Sequence, residues 1–160
     1  MMHRVAAWVR RWPRTSATTG FCAAGTALTI LWWSPVIFQA RGLLPFVLFI
    51  GTPAVSAALA GYILGKPLLD PASVSTPRRA AFRGAVIASF ASLLFAPLFA
   101  ILYVWTQPVT EHWGMLSLTF LVLIGSALTA WFKVALTGAV VGLVLYRLAS
   151  TTRRGASLGP

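Results

Sequence analysis

Apolar residues run along this chain in four long blocks that short polar segments separate. The blocks cover about residues 20–39, 43–64, 82–105 and 115–146. An α-helix needs about 20 consecutive apolar residues to cross a bilayer whose hydrocarbon core is roughly 30 Å thick. Strands of a membrane β-barrel would alternate apolar and polar positions, a pattern that these continuous blocks lack. The pattern predicts an all-α, polytopic membrane protein, with residues 1–160 forming one membrane domain with four transmembrane helices.

The last block is too long for an ordinary span. Residues 115–146 would form about 48 Å of helix, and about 50° of tilt would be needed to fit it into roughly 30 Å, whereas observed tilts reach about 40°. We predict either a re-entrant or interfacial piece over 115–126 followed by a spanning helix, or one bent helix that protrudes from the membrane. Gly125 and Ser126 mark the expected break, because Gly weakens a helix interior and Ser competes for backbone hydrogen bonds.

The segments outside the blocks at both ends are polar and basic. We predict a basic amphipathic segment over residues 1–14 and a polar tail over residues 147–160. One helical face of the first segment carries Val5, Trp8, Val9 and Trp12, after which Pro13 should end the pattern. A short basic helix with Trp on its apolar side suits the membrane surface, and a frayed basic tail is the alternative. We expect the first span to stay uncleaved, because its apolar stretch is longer than a signal peptide needs.

Charged residues are few and lie almost entirely between the blocks. The chain has 13 basic and two acidic residues, 9% of the total, against about 25% in a soluble domain. The net charge of +11 would suggest nucleic-acid binding in a soluble protein. Because the arginines flank apolar spans, we predict contact with a bilayer that has anionic headgroups, and no nucleic acid.

The basic residues also predict the orientation of the chain. One side of the membrane would collect Arg4, Arg10, Arg11, Arg14, Lys66, Arg78, Arg79, Arg83, Arg147, Arg153 and Arg154. The other side would hold Arg41. Since basic residues concentrate in cytoplasmic segments, both termini are predicted to be cytoplasmic, in the cell inner (plasma) membrane. The mitochondrial inner membrane is the alternative, because the first residues are Arg-rich and acid-free.

Proline and glycine positions predict where the helices bend and where they pack. Proline removes a backbone donor and clashes with the preceding turn, which kinks a helix. The predicted kinks are at Pro35, Pro53 and Pro97. A Gly-x-x-x-Gly pair lets two helix backbones approach closely, within the protein or between copies. The two pairs are Gly61 with Gly65 and Gly138 with Gly142.

The two halves of the chain share a faint likeness. Pro35 and Pro97 each precede another proline, Pro45 and Pro108, and each following helix ends in a Gly-x-x-x-Gly pair. A duplicated helical hairpin in parallel orientation, the arrangement of some transporters, would give this pattern. Coincidence is the alternative, because Gly and Pro are common in membrane helices.

Apart from Arg83 at the edge of the third block, Lys133 is the one charged residue inside a predicted membrane block. If the last block is two elements, Lys133 lies near the outer end of the spanning helix, where its stem can snorkel to the surface. If the block is one helix, Lys133 lies nearer the bilayer centre, where insertion costs roughly 2.5–3.5 kcal/mol. A charge inside the membrane is a functional hypothesis, and here the hypothesis is pairing with a carboxylate of a partner protein.

Residues for catalysis are scarce. The acidic residues are Asp70 and Glu111, and Cys22 is the one cysteine, so neither a catalytic dyad nor a disulfide can be assembled easily. We therefore predict no enzyme activity, no cofactor and no metal site. The leading hypothesis is a non-catalytic subunit, assembly factor or interaction partner of a membrane complex. The alternative is a small oligomeric transporter or channel built from two helical hairpins, so the predicted partners include other membrane proteins and further copies of this chain.

Overall fold

A computed structural model describes residues 8–9, 11–39, 46–70, 76–106 and 112–156, and within these ranges every element is helical. The elements are α1 (Pro13–Gln39), a π-helical turn (Val47–Gly51), α2 (Thr52–Leu64), α3 (Lys66–Leu69), α4 (Pro77–Thr106), α5 (His112–Thr129) and α6 (Trp131–Ala156). For this part of the chain the all-α prediction is confirmed.

Three helical segments of the described residues are long and apolar enough to cross a membrane. They are Val47–Leu64, Pro77–Tyr103 and Trp131–Ser150. The predicted block over residues 20–39 lies within α1, but its membrane crossing stays a prediction, as does the total of four spans. Helices that satisfy their own backbone hydrogen bonds are what a lipid environment requires.

Four of the helices pack as a ring. α1 contacts α2, α2 contacts α4, α4 contacts α6, and α6 returns to α1. Small residues dominate the interior, among them Ala17, Ala57, Ala60, Ala80 and Ala88. Small side chains suit a membrane bundle, since they let helix backbones come close enough for extensive van der Waals contact. The short α3 lies beside α1 and α6, and α5 packs on α4.

The first helix begins where the sequence predicts an end. Pro13 is the first residue of α1, a position that suits proline because its ring fixes φ near the helical value. The preceding turn continues into the helix, because the Trp12 N–H donates to the Trp8 carbonyl and the Ser16 N–H to the Trp12 carbonyl. Of the predicted apolar stripe, Val9 is buried while Trp8 and Trp12 are about half exposed; Val5 lies outside the described residues.

The three prolines predicted to kink helices lie in two different settings. Pro53 follows the π-helical turn and is the second residue of α2, so its missing N–H falls where regular bonding is already interrupted. The Thr52 N–H instead reaches back to the Val47 carbonyl. Pro97 lies inside α4 and Pro35 inside α1, and both helices run through them. Whether the helices bend at these prolines stays a prediction.

The long last block divides at Ala130, a turn between α5 and α6. The expected break at Gly125 and Ser126 is wrong, because both residues lie within α5. The Thr129 hydroxyl donates to the Gly125 carbonyl at 2.6 Å, a bond that tends to bend a helix and that directly precedes the turn. The helix also continues past Tyr146 to Ala156, so much of the predicted polar tail is helical.

Candidate functional site

The tightest helix contact joins α4 to α6 through five small residues. We call this contact the α4–α6 seam; its members are Ala80, Gly84, Ala88, Gly138 and Gly142. A β-carbon on Gly84 would collide with the carbonyl oxygen of Gly138, and one on Gly142 would collide with that of Ala80. The structure therefore places the second predicted glycine pair against a matching row of small residues on α4.

The first glycine pair lies in a similar contact between α2 and α1. A β-carbon on Gly61 would lie 3.0 Å from the Ala17 carbonyl oxygen, and one on Gly65 would collide with the Ala17 side chain. Ala17 is near the start of α1, as Ala80 is near the start of α4. Each hairpin is thus closed by small residues at the same end of the bundle.

Sequence reasoning missed the α4 half of the seam. Ala80, Gly84 and Ala88 follow one another at intervals of four, the same small-x-x-x-small spacing that singled out the glycine pairs. That signal was available, but alanine is so common in membrane helices that the spacing marks no contact by itself.

Basic side chains gather at the end of the bundle where α1 and α4 begin. The Arg83 guanidinium donates to the Pro67 carbonyl at 2.6 Å, and the Arg14 guanidinium lies 5.5 Å from the centre of the Tyr62 ring. The predicted positive side of the chain thus includes cations that contact the protein itself. Arg4, Arg10 and Arg41 lie outside the described residues.

A cavity of about 420 Å³ lies inside the ring of helices. Five of the helices contribute to its walls, which are almost entirely apolar, and four aromatic rings line it: Phe21, Phe49, Phe95 and Phe99. Phe99 packs on two of these rings, with ring centres 5.9 Å from Phe49 and 5.5 Å from Phe95. The volume of the cavity is within the range of small-molecule pockets, roughly 300–1,000 Å³.

Lys133 is the charged residue in the lining of this cavity. The helix register indicates its level along α4, because the Trp131 indole donates to the Ser89 hydroxyl at 3.1 Å and Gly138 packs against Ala88 and Gly84. Gly142 packs against Gly84 and Ala80, so the two helices run antiparallel, and Lys133, five residues before Gly138, is level with about Ala91.

Ala91 is about 21 Å of helix from Pro77 and about 18 Å from Tyr103, the ends of the α4 candidate span, at 1.5 Å per residue. On α6 itself Lys133 is the third residue of the candidate span Trp131–Ser150, so the depth of Lys133 in the membrane stays a prediction. Its side chain lines the cavity and is exposed.

Four of the five hydroxyl side chains in the cavity lining bond to their own helices, and Ser92 is the fifth. Thr29 donates to the Gly25 carbonyl, Ser56 to that of Thr52 and Thr137 to that of Lys133, each at 2.8 Å. In such bonds the hydroxyl hydrogen is donated within the helix and not into the cavity. The lining of the cavity is therefore apolar except at Lys133 and at the Ser92 hydroxyl.

The described residues include no group of three His, Cys, Asp or Glu side chains that could hold a metal ion. Cys22 is a free, half-buried thiol. Glu111 and His3 lie outside the described residues, and Asp70 ends α3 at the surface. Comparison with known proteins adds no assignment, since no protein family, curated protein or solved structure matches this chain.

Proposed function

We propose that this chain is a non-catalytic, four-span protein of the cell inner membrane that serves as a subunit, assembly factor or interaction partner in a membrane complex. Both termini are cytoplasmic in this proposal, with the basic end of the bundle against anionic headgroups. What supports it is a bundle built for packing, with its acidic residues too few and too scattered for general acid–base chemistry.

The observation that carries the proposal is that the rest of the chain covers little of α6. Only 17% of the α6 candidate span is buried, against 39% for the span that ends in α2 and 33% for that in α4. A row of large apolar side chains at intervals of four stays exposed along α6: Phe132, Leu136, Val140 and Val144. An uncovered helix at the edge of a bundle is the natural contact for a second membrane protein.

A photo-crosslinking amino acid placed at Leu136 tests this contact in native membranes. α2 offers a matched control, because Val55, Leu59 and Ile63 form an exposed row with the same spacing. We expect an adduct with a second protein from Leu136, and adducts with lipid alone from Leu59. Lipid adducts alone from both positions would contradict the proposal.

A second candidate function is a small oligomeric transporter or channel built from two hairpins. The ring favours it, since the α1–α2 and α4–α6 hairpins close through small residues at the same end and the α2–α4 contact recurs as α6–α1. Transporters of this kind bind their substrate near the midplane, between the repeats. The apolar lining counts against a polar solute. A crosslink from Leu136 to a second copy of the chain would favour this candidate.

A further inference from the structure

We propose that the π-helical turn before α2 binds a single buried water molecule, held between the Thr52 hydroxyl and the Leu48 backbone carbonyl. This inference goes beyond the proposed function and does not depend on it. It rests on three observations: a backbone carbonyl that loses its regular helical donors, a buried hydroxyl without a hydrogen-bond partner, and the burial of both residues within an apolar candidate span.

The backbone of the turn leaves the Leu48 carbonyl without a regular helical donor. In an α-helix this carbonyl would accept the N–H of Thr52, four residues later, but that N–H donates to the Val47 carbonyl. In a π-helix the donor would be one residue further along, at Pro53, which has no N–H. Both regular donors are therefore lost at the same carbonyl.

The Thr52 side chain lies one turn after this carbonyl, and its hydroxyl has no hydrogen-bond partner. The buried polar side chains of the described residues are Ser16, Thr29, Thr52 and Ser56. Each of the other three donates to the carbonyl four residues earlier, at 2.8 Å. The same bond from Thr52 would reach Leu48, but the π turn widens the helix at this point and the hydroxyl does not make it.

Both residues lie in the interior of an apolar segment, away from bulk water. Thr52 is 2% exposed and Leu48 is 6% exposed, and both belong to the candidate span Val47–Leu64. An unsatisfied hydroxyl or carbonyl is costly in such a setting. Ordered water is one of the groups that satisfy the backbone of a membrane helix where a proline interrupts it.

The number and kind of the groups select water over other guests. A cation such as Mg²⁺ or Ca²⁺ takes about six or more oxygen ligands, whereas the turn supplies one hydroxyl and one carbonyl. A larger polar molecule would need an opening to the surface at these two buried residues. A water molecule can donate to the carbonyl and form a second hydrogen bond with the hydroxyl, which gives it the two partners that a buried water requires.

Solid-state NMR of the full-length protein in lipid bilayers tests this site, with water itself as the probe. We expect magnetisation transferred from water protons to reach the Leu48 carbonyl carbon and the Thr52 β-carbon. Ala60 is the control, because it is buried on the same helix and should receive no transfer on that timescale. Absence of transfer to Leu48 would overturn the inference.

Two variants at position 52 show whether the hydroxyl holds the water. Thr52→Val has nearly the same shape but no hydroxyl, so it should abolish the transfer to the Leu48 carbonyl. Thr52→Ser keeps the hydroxyl and should retain the transfer. Transfer to Leu48 that persists unchanged in Thr52→Val would overturn the inference.

The stability of Thr52→Val gives a second test, in which the sign of the change decides. If the hydroxyl holds a water molecule, the variant leaves the Leu48 carbonyl unsatisfied. The equilibrium constant for unfolding in mixed detergent micelles should then rise about tenfold, which corresponds to about 1.4 kcal/mol. If the hydroxyl is dry and unpaired, its removal should lower that constant, because a buried polar group without a partner destabilises the folded protein.

Thr29→Val is the matched control for this measurement. The Thr29 hydroxyl is also buried, but it donates to the Gly25 carbonyl of its own helix, so its loss should change the unfolding constant little. A Thr52→Val protein that is more stable than the original chain, or that is affected to the same extent as Thr29→Val, would overturn the inference.

Discussion

At Gly84 the backbones of α4 and α6 come so close that only a hydrogen atom fits as a side chain. The carbonyl oxygen of Gly138 occupies the space where a β-carbon would be. Gly125 provides the contrast on α5, because nothing lies within 4 Å of its β-carbon position. The two glycines therefore differ in role although the sequence presents both as glycines in apolar helices.

Substitution at these two glycines should give opposite results. We expect Gly84→Ala to destabilise the protein by about 1–3 kcal/mol, because the added methyl group forces α4 away from α6. Gly125→Ala should be neutral or stabilise by up to about 1 kcal/mol, since alanine has the higher helix propensity. Unfolding of each purified variant in mixed detergent micelles measures the difference. Equal stability of the two variants would contradict the close approach at the α4–α6 seam.

On the scale of elements, the apolar pattern predicts where the helices lie better than it predicts the residues at which they begin and end. Residues 20–39 and 82–105 fall inside α1 and α4 because continuous apolar runs leave few alternatives to a helix in lipid. The break in the last block was misplaced because Gly and Ser are tolerated inside membrane helices. The bond from Thr129 to Gly125 that precedes the observed turn depends on a side-chain rotamer, which sequence spacing does not reveal.

The depth of Lys133 in the membrane depends on the register between α4 and α6, and it can be measured. We expect a spin label at Lys133→Cys, in a Cys22→Ala background, to be more accessible to oxygen dissolved in the bilayer than to a water-soluble nickel chelate. The reason is its level beside about Ala91, near the middle of the α4 candidate span. Electron paramagnetic resonance in nanodiscs gives both accessibilities, with a label at Lys66→Cys as the exposed control. Preferential nickel access at position 133 would show a lysine that reaches the surface.

On the scale of the whole molecule, the sequence predicts the setting of the site but not the site itself. Lys133 stands out as a charge in an apolar block, and the glycine pairs stand out by spacing. The cavity depends on how one hairpin packs on the other, which brings Phe21 and Phe49 near Phe95 and Phe99. Contacts between residues so far apart in sequence follow from the packing of the whole ring and not from any local pattern.

The central claim for the whole molecule is that this bundle associates with another membrane protein. Crosslinked affinity purification from native membranes at endogenous expression, followed by native mass measurement and peptide identification, tests that claim most directly. We expect one membrane protein to be recovered with this chain in a fixed stoichiometric ratio. Recovery of the chain alone, or of a homo-oligomer without another protein, would contradict the claim.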